Sequence, residues 1–130
     1  MENQEVIRSR SNALLKRAGA AVSGKTPGVM VLEGDRLVDD AVAAGYGLEV
    51  VLVSAQREDR ARELEAAALE VRRVEHELLA RISSLETSPG VMALAVCPDG
   101  SELSALGPAE HPRTLVVAGL QDPGNLGALA

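Results

Sequence analysis

Between Gly28 and Cys97 the sequence alternates four short aliphatic runs with three segments of helical periodicity, and this alternation restricts the fold more than any other feature. Val29-Met30-Val31-Leu32, Leu48 to Val53, Glu70 to Val74 and Val91 to Val96 are short, rich in β-branched residues and bounded by glycine, proline or polar residues, which predicts strands. Asp35 to Ala44 sets Leu37, Val38, Ala41 and Val42 on one helical face and Arg36, Asp39 and Asp40 on the other, with Gly45 and Gly47 to end it. Glu58 to Ala68, built on Ala61, Leu64 and Ala68, and His76 to Ser83, built on Leu78, Leu79 and Ile82, predict two more helices. A further helix precedes them, with Ser11 or Asn12 as N-cap, Leu14, Leu15, Ala18 and Val22 inward, and Lys16 and Arg17 outward. Strands separated by helices imply a mostly parallel sheet covered on both faces, a three-layer α/β/α sandwich.

The composition narrows the functions open to such a domain. There is no Phe, no Trp and one tyrosine, Tyr46, so the core must be aliphatic, and a sheet surface that stacks bases on exposed aromatic rings is excluded. No run of about eighteen apolar residues occurs, and the polar start Met1 to Glu5 is no signal peptide, so a cytoplasmic protein away from the membrane is expected. Cys97 has no second cysteine to pair with and is expected to be a small buried hydrophobe. His76 and His111 have no ligand partner at a recognisable spacing, so no metal is expected, and Asp39 with Asp40 is expected to be a solvated surface pair. The net charge of −6 argues against nonspecific coating of nucleic acid, yet residues 1–25 carry a local +3 from Arg8, Arg10, Lys16, Arg17 and Lys25 against Glu2 and Glu5. Such an arm on an acidic body can meet a few phosphates.

Gly19-Ala20-Ala21-Val22-Ser23-Gly24-Lys25-Thr26 formally matches a phosphate-binding loop. The residues before Gly19 are helical rather than a buried strand, and Pro27 opposes the helix that such a loop opens, so the match is expected to be incidental.

Pro98 to Pro112 is rich in Pro, Gly and Ser and reads as a linker between a first domain, residues 1–97, and a second beginning at 113. Thr114 to Ala118 then predicts a buried strand, Asp122-Pro123-Gly124-Asn125 a turn, and Leu126 to Ala130 the start of a helix. Leu120-Gln121-Asp122-Pro123-Gly124-Asn125-Leu126-Gly127-Ala128-Leu129-Ala130 closely resembles the first motif of the SpoU class of RNA ribose 2′-O-methyltransferases, in the knotted SPOUT superfamily. The resemblance implies a catalytic-site role for Asn125 and a following arginine that would come after Ala130. It also implies that residues 113–130 start a truncated knotted methyltransferase domain, that the S-adenosylmethionine site lies beyond Ala130, and that the chain is an N-terminal piece of a longer enzyme.

Arg8 to Asn12 with Leu15-Lys16-Arg17, Val31 to Val38, Ala41 to Gly45 and Leu85 to Val91 look like the substrate-binding domain that precedes the knot in many enzymes of that class, a domain similar in fold to kink-turn-binding ribosomal proteins. Carried over residue by residue, the resemblance implies RNA contacts at Arg8, Arg10, Asn12, Lys16, Arg17, Glu33, Gly34, Arg36, Thr87, Ser88 and Gly90. It further implies RNA as partner, rRNA before tRNA, S-adenosylmethionine as the cofactor of the whole enzyme with none bound by this part, and a homodimer formed through the catalytic domain. This part alone is expected to transfer no methyl group. The rival reading is a stand-alone ribosomal-type RNA-binding module without catalysis, and the motif from Asp122 to Asn125, for which such a module has no use, discriminates the two.

Overall fold

A computed structural model describes residues 5–98 and 115–129. The first unit, Met1–Pro98, contains α1 (Ala13–Val22), β1 (Val29–Glu33), α2 (Asp35–Ala43), β2 (Leu48–Ser54), α3 (Glu58–Ala66), β3 (Val71–Val74), α4 (His76–Ile82) and β4 (Val91–Val96). Every helix and strand expected before residue 97 is present.

The four strands form one sheet in the order β1-β4-β2-β3. β2 and β3 are parallel, but β4 runs antiparallel to both of its neighbours, so the sheet is mixed rather than mostly parallel. Parallel entry of β4 needs a crossover that carries the chain back along the length of the sheet. After α4, however, Ser83 and Ser84 are held by Glu33 at the finishing end of β1, and the chain enters β4 from that end.

Period-two alternation sends side chains of the central strands to both faces. Val50, Leu52, Met92 and Leu94 meet Leu15, Ala18 and Ala21 of α1 and Leu78 and Leu79 of α4. Val51, Val53, Val91 and Ala93 meet Val38 of α2 and Ala61 and Leu64 of α3. The three layers follow from this double burial.

Asn12 starts α1 by accepting hydrogen bonds from the amides of Leu14 at 3.0 Å and Leu15 at 3.2 Å on its Oδ1. At the far end of α3, Ala68 adopts φ +61°, with its amide on the Glu65 carbonyl at 2.9 Å and the Leu69 amide on the Leu64 carbonyl at 3.2 Å. This paired closure is usually made by glycine, as it is by Gly24 after α1 and Gly45 after α2.

Three side chains of the first unit depart from expectation, and one is Ala68, which lies past the end of α3 and is exposed rather than on the packed face with Ala61 and Leu64. Leu37 is 50% exposed: α2 buries Val38 against its own face of the sheet, and Leu37 lines a surface hollow with Val22 and Leu85 beside Val31 of edge strand β1. Cys97 is exposed because burial along β4 ends at Ala95, and the last paired row is Val29 with Val96.

The second unit, Asp99–Ala130, is described from residue 115. The strand expected over Thr114 to Ala118 is absent from 115–118, where Leu115 and Val116 are exposed. A strand exists only as one side of a ladder, and no second extended stretch pairs with it among the described residues. α5 (Pro123–Leu129) begins three residues earlier than expected. Asp122 caps it, with Oδ1 accepting from the Gly124 amide at 2.8 Å, and Pro123 fills the first position, where a missing N–H costs nothing. The linker expected from 98 to 112 lies outside the described residues after Pro98, as does His111.

Candidate nucleic-acid interface

The last paired residues of β1, β2 and β3 lie at one end of the sheet, within two rows of one another. Glu33 pairs with Met92, Val53 with Val91, Ser54 with Val74, and Ile7 forms a parallel bridge to Val74. The segments that follow these residues, Arg8-Ser9, Gly34-Asp35-Arg36, Ala55-Gln56-Arg57 and Glu75-His76, therefore emerge at the same end as the loop Ser83–Gly90 that enters β4. Ligands of open α/β sheets bind beyond such strand ends.

Three stretches singled out from the sequence, around Arg8, around Glu33 and at Thr87 to Gly90, are thus brought together. Arg8, Arg10, Arg36 and Thr87 are exposed there. A groove of about 320 Å³ runs beside the N-terminal arm, lined by Arg8, Ser9, Asn12 and Arg72 among others. Lys16 and Arg17 are exposed on α1, but Arg17 is drawn elsewhere: its Nη2 bonds Glu49 at 2.5 Å, near the starting end of β2. Ser54 lies five residue steps along β2 from Glu49, roughly 17 Å at the usual rise.

Several of the expected contact groups are occupied inside the protein. The Gly34 amide donates to the Val91 carbonyl at 3.0 Å, the Gly90 amide to Ser88 Oγ at 3.2 Å, and the Asn12 oxygen caps α1. Glu33 accepts from Ser83 Oγ at 2.5 Å, Ser84 Oγ at 2.6 Å and the Ser84 amide at 2.8 Å. Burial raises the Glu33 carboxyl, but these three donors outweigh it and hold the group below the ordinary carboxylate range. Glu33, Gly34 and Gly90 accordingly shape the loops, whereas Asn12 and Ser88, acceptors in these bonds, keep an N–H and an O–H donor to offer.

Three sets of contacts in this part of the domain have no signature in the sequence. Arg57, after β2, donates from Nη1 to both oxygens of Asp35, at 3.1 and 2.9 Å, and to the Pro89 carbonyl at 3.1 Å. The fully buried Ser54 accepts from the Gln56 amide at 3.2 Å and lies 3.1 Å from His76 Nδ1, so its hydroxyl hydrogen is free to point at that nitrogen. Arg60, 9% exposed, pairs with Asp39 and with Glu63, and its Nε lies 3.0 Å from Asp35 without hydrogen-bond alignment. Asp39 is therefore ion-paired rather than merely solvated. Asp40 stays 71% exposed, with a loose contact of 3.9 Å to Arg36.

Gly19 lies inside α1, and its missing Cβ would approach Ile82 at 3.2 Å, so the stretch that matched a phosphate loop begins as helix packed on helix and only turns after Val22. Among the described residues no group of three His, Cys, Asp or Glu side chains is placed to hold a metal ion. No helix among them is long and apolar enough to cross a membrane. Asn125 is exposed, at the third position of α5.

The fold has solved counterparts. An RNA 2′-O ribose methyltransferase matches over 95% of this chain and 49% of its own length, with a TM-score of 0.64 and 26% identity. An AdoMet-bound rRNA methyltransferase from Sinorhizobium meliloti matches over 71% of this chain and 36% of its own length, with a TM-score of 0.56 and 21% identity. The chain thus spans about a third to a half of the solved structures it matches. No curated protein matches it by sequence. A family model, the MRM3-like substrate binding domain, matches residues 25–93, more than half of the 130. That stretch runs from the end of α1 into β4 and includes both the Glu33–Arg36 and the Thr87–Gly90 loops, and the chain belongs to the MRM3-like substrate-binding domain family.

Proposed function

We propose that this chain is the RNA-recognition part of an S-adenosylmethionine-dependent RNA ribose 2′-O-methyltransferase of the SpoU class, cytoplasmic and acting on rRNA. The observation that carries the reading is the convergence of the Arg8, Gly34 and Thr87 segments at one end of a sheet in a substrate-binding family. Arg8, Arg10 and Arg36 are exposed cations suited to phosphate, with Lys16 as an outlying contact, and the Thr87 hydroxyl is free for phosphate or 2′-OH. Arg17 serves by anchoring α1 through Glu49. Glu33, Gly34, Asn12, Ser88 and Gly90 hold the loops in the shape that RNA meets.

S-adenosylmethionine supplies the methyl group in such an enzyme. Among the described residues Gly124 to Leu129 are all exposed, so no step is assigned to the group here. Asn125 has a role in the complete site, from the start of α5, and the complete enzyme is a homodimer. The chain by itself binds RNA weakly and transfers nothing.

Fluorescence anisotropy with a labelled rRNA fragment, titrated over salt, tests the reading. Replacing Arg8, Arg10 and Arg36 together by alanine should weaken binding and reduce the salt slope by about 0.7–0.9 for each phosphate that is no longer neutralised. An unchanged slope and affinity refute the assignment, and methyl transfer by this chain alone refutes the division of labour.

A further inference from the structure

We infer that Arg57 is a positioning residue for RNA, a clamp that fixes the Gly34–Asp35 turn and the Ser88–Gly90 loop at one separation; the inference rests on the RNA reading above. Arg57 belongs to neither loop. It lies between β2 and α3, and one nitrogen, Nη1, reaches Asp35 Oδ1, Asp35 Oδ2 and the Pro89 carbonyl. The two loops it joins are 54 residues apart in sequence, counting from Asp35 to Pro89, and the same two lie against each other where the absent Cβ of Gly34 would sit 3.9 Å from Pro89.

The stem of Arg57 also fills the space that a side chain at position 90 would need. A Cβ on Gly90 would lie 3.1 Å from Arg57 Cδ and 3.3 Å from Ser54 Cβ, and Gly90 already holds φ +74°. The Gly90 carbonyl accepts from the Ser54 amide at 2.8 Å, which fixes the loop to β2 at its other side. Arg57 is thus seated among carboxylate, carbonyl and glycine, and its charge is directed at Asp35. The charge on Asp35, on the approach to Gly34, would repel a phosphate backbone; Arg57 offsets it together with Arg60, whose Nε lies 3.0 Å away, and Arg57 also reaches the second loop. The clamp acts on RNA through the loops and through this neutralisation, and it makes no phosphate contact of its own.

Because all three hydrogen bonds come from one nitrogen, a lysine ammonium, with its three donors but one bond less reach, can restore part of them, whereas methionine keeps the stem and loses the donors. Anisotropy with a fluorescein-labelled RNA stem containing an asymmetric internal loop reads the effect, with circular dichroism confirming that each variant is folded. Arg57→Met should weaken binding about tenfold with an unchanged salt slope, and Arg57→Lys should recover part of it. Backbone amide exchange should quicken at Ser54 and Gly34 in Arg57→Met and return in part in Arg57→Lys. A slope lower by about one in Arg57→Met makes Arg57 a phosphate contact and overturns the role. Unchanged affinity in Arg57→Met, or exchange rates that do not move, overturn it as well. No binding by the unaltered chain overturns the RNA reading and this role together, whereas binding that Arg57→Met leaves intact overturns the role alone.

Discussion

Arg73 grips Glu58 side-on, Nε to Oε2 at 2.7 Å and Nη2 to Oε1 at 2.9 Å, and so ties β3 to the first turn of α3. Its remaining nitrogen reaches Glu65 at 2.7 Å, one helix stretch further along. The fork holds the Glu58 carboxyl down at about 2, against an ordinary 4.5, chiefly through the Arg73 hydrogen bonds.

A carboxyl whose folded value is depressed stabilises the fold above its unfolded value and loses that contribution as pH falls toward the folded one. Chemical denaturation followed from pH 6 down to pH 2 should therefore show stability falling below about 4.5. Glu58→Gln should be less stable than the parent at pH 6 and should lose less on acidification. Parallel pH curves for the two proteins would remove the fork from the acid response.

Ala68 carries a left-handed conformation that costs an alanine roughly 1 kcal/mol relative to glycine. Ala68→Gly should raise unfolding stability by about 0.5–1 kcal/mol, read as a higher denaturant midpoint at unchanged m-value. A lower midpoint would mean that the Cβ has packing value there.

Gly90→Ala puts a Cβ into Arg57 and Ser54 at an already left-handed φ. Destabilisation of about 1–3 kcal/mol is expected, measured by thermal or urea unfolding. A neutral result would show that the loop can shift without loss.

Asn12→Ala removes the acceptor for two amides at the start of α1, and a loss of about 1 kcal/mol is expected by urea unfolding. Asn12→Asp should retain the cap. Equal losses in both would place the value of Asn12 outside the cap.

Element existence was legible because period 2 and period 3.6 are local signals, and each helix and strand before residue 97 carries one. Strand direction was not, since the antiparallel entry of β4 goes with contacts from Glu33 to Ser83 and Ser84, about fifty residues downstream, that no local pattern announces. The tail failed for a related reason: Thr114 to Ala118 has the composition of a strand, but composition supplies no partner. Of the candidate site, the exposed basic residues and the two loops could be named from the sequence. Arg57 could not, because nothing near it in the chain announces that Asp35 and Pro89 will lie within reach, and an arginine at the head of an acidic helix reads as surface charge. Cys97 and Leu37 were misplaced because apolar character was read without the sheet's borders, which stop at the Val29–Val96 row and at β1.

The strand made last sits in the middle. Because β1 pairs with β4 alone within this sheet, the first strand synthesised has no neighbour until residues 91–96 have left the ribosome. Folding of the domain should therefore be late and abrupt during synthesis, and trimming from the carboxyl side past Val91 should unseat the oldest strand rather than the newest helix.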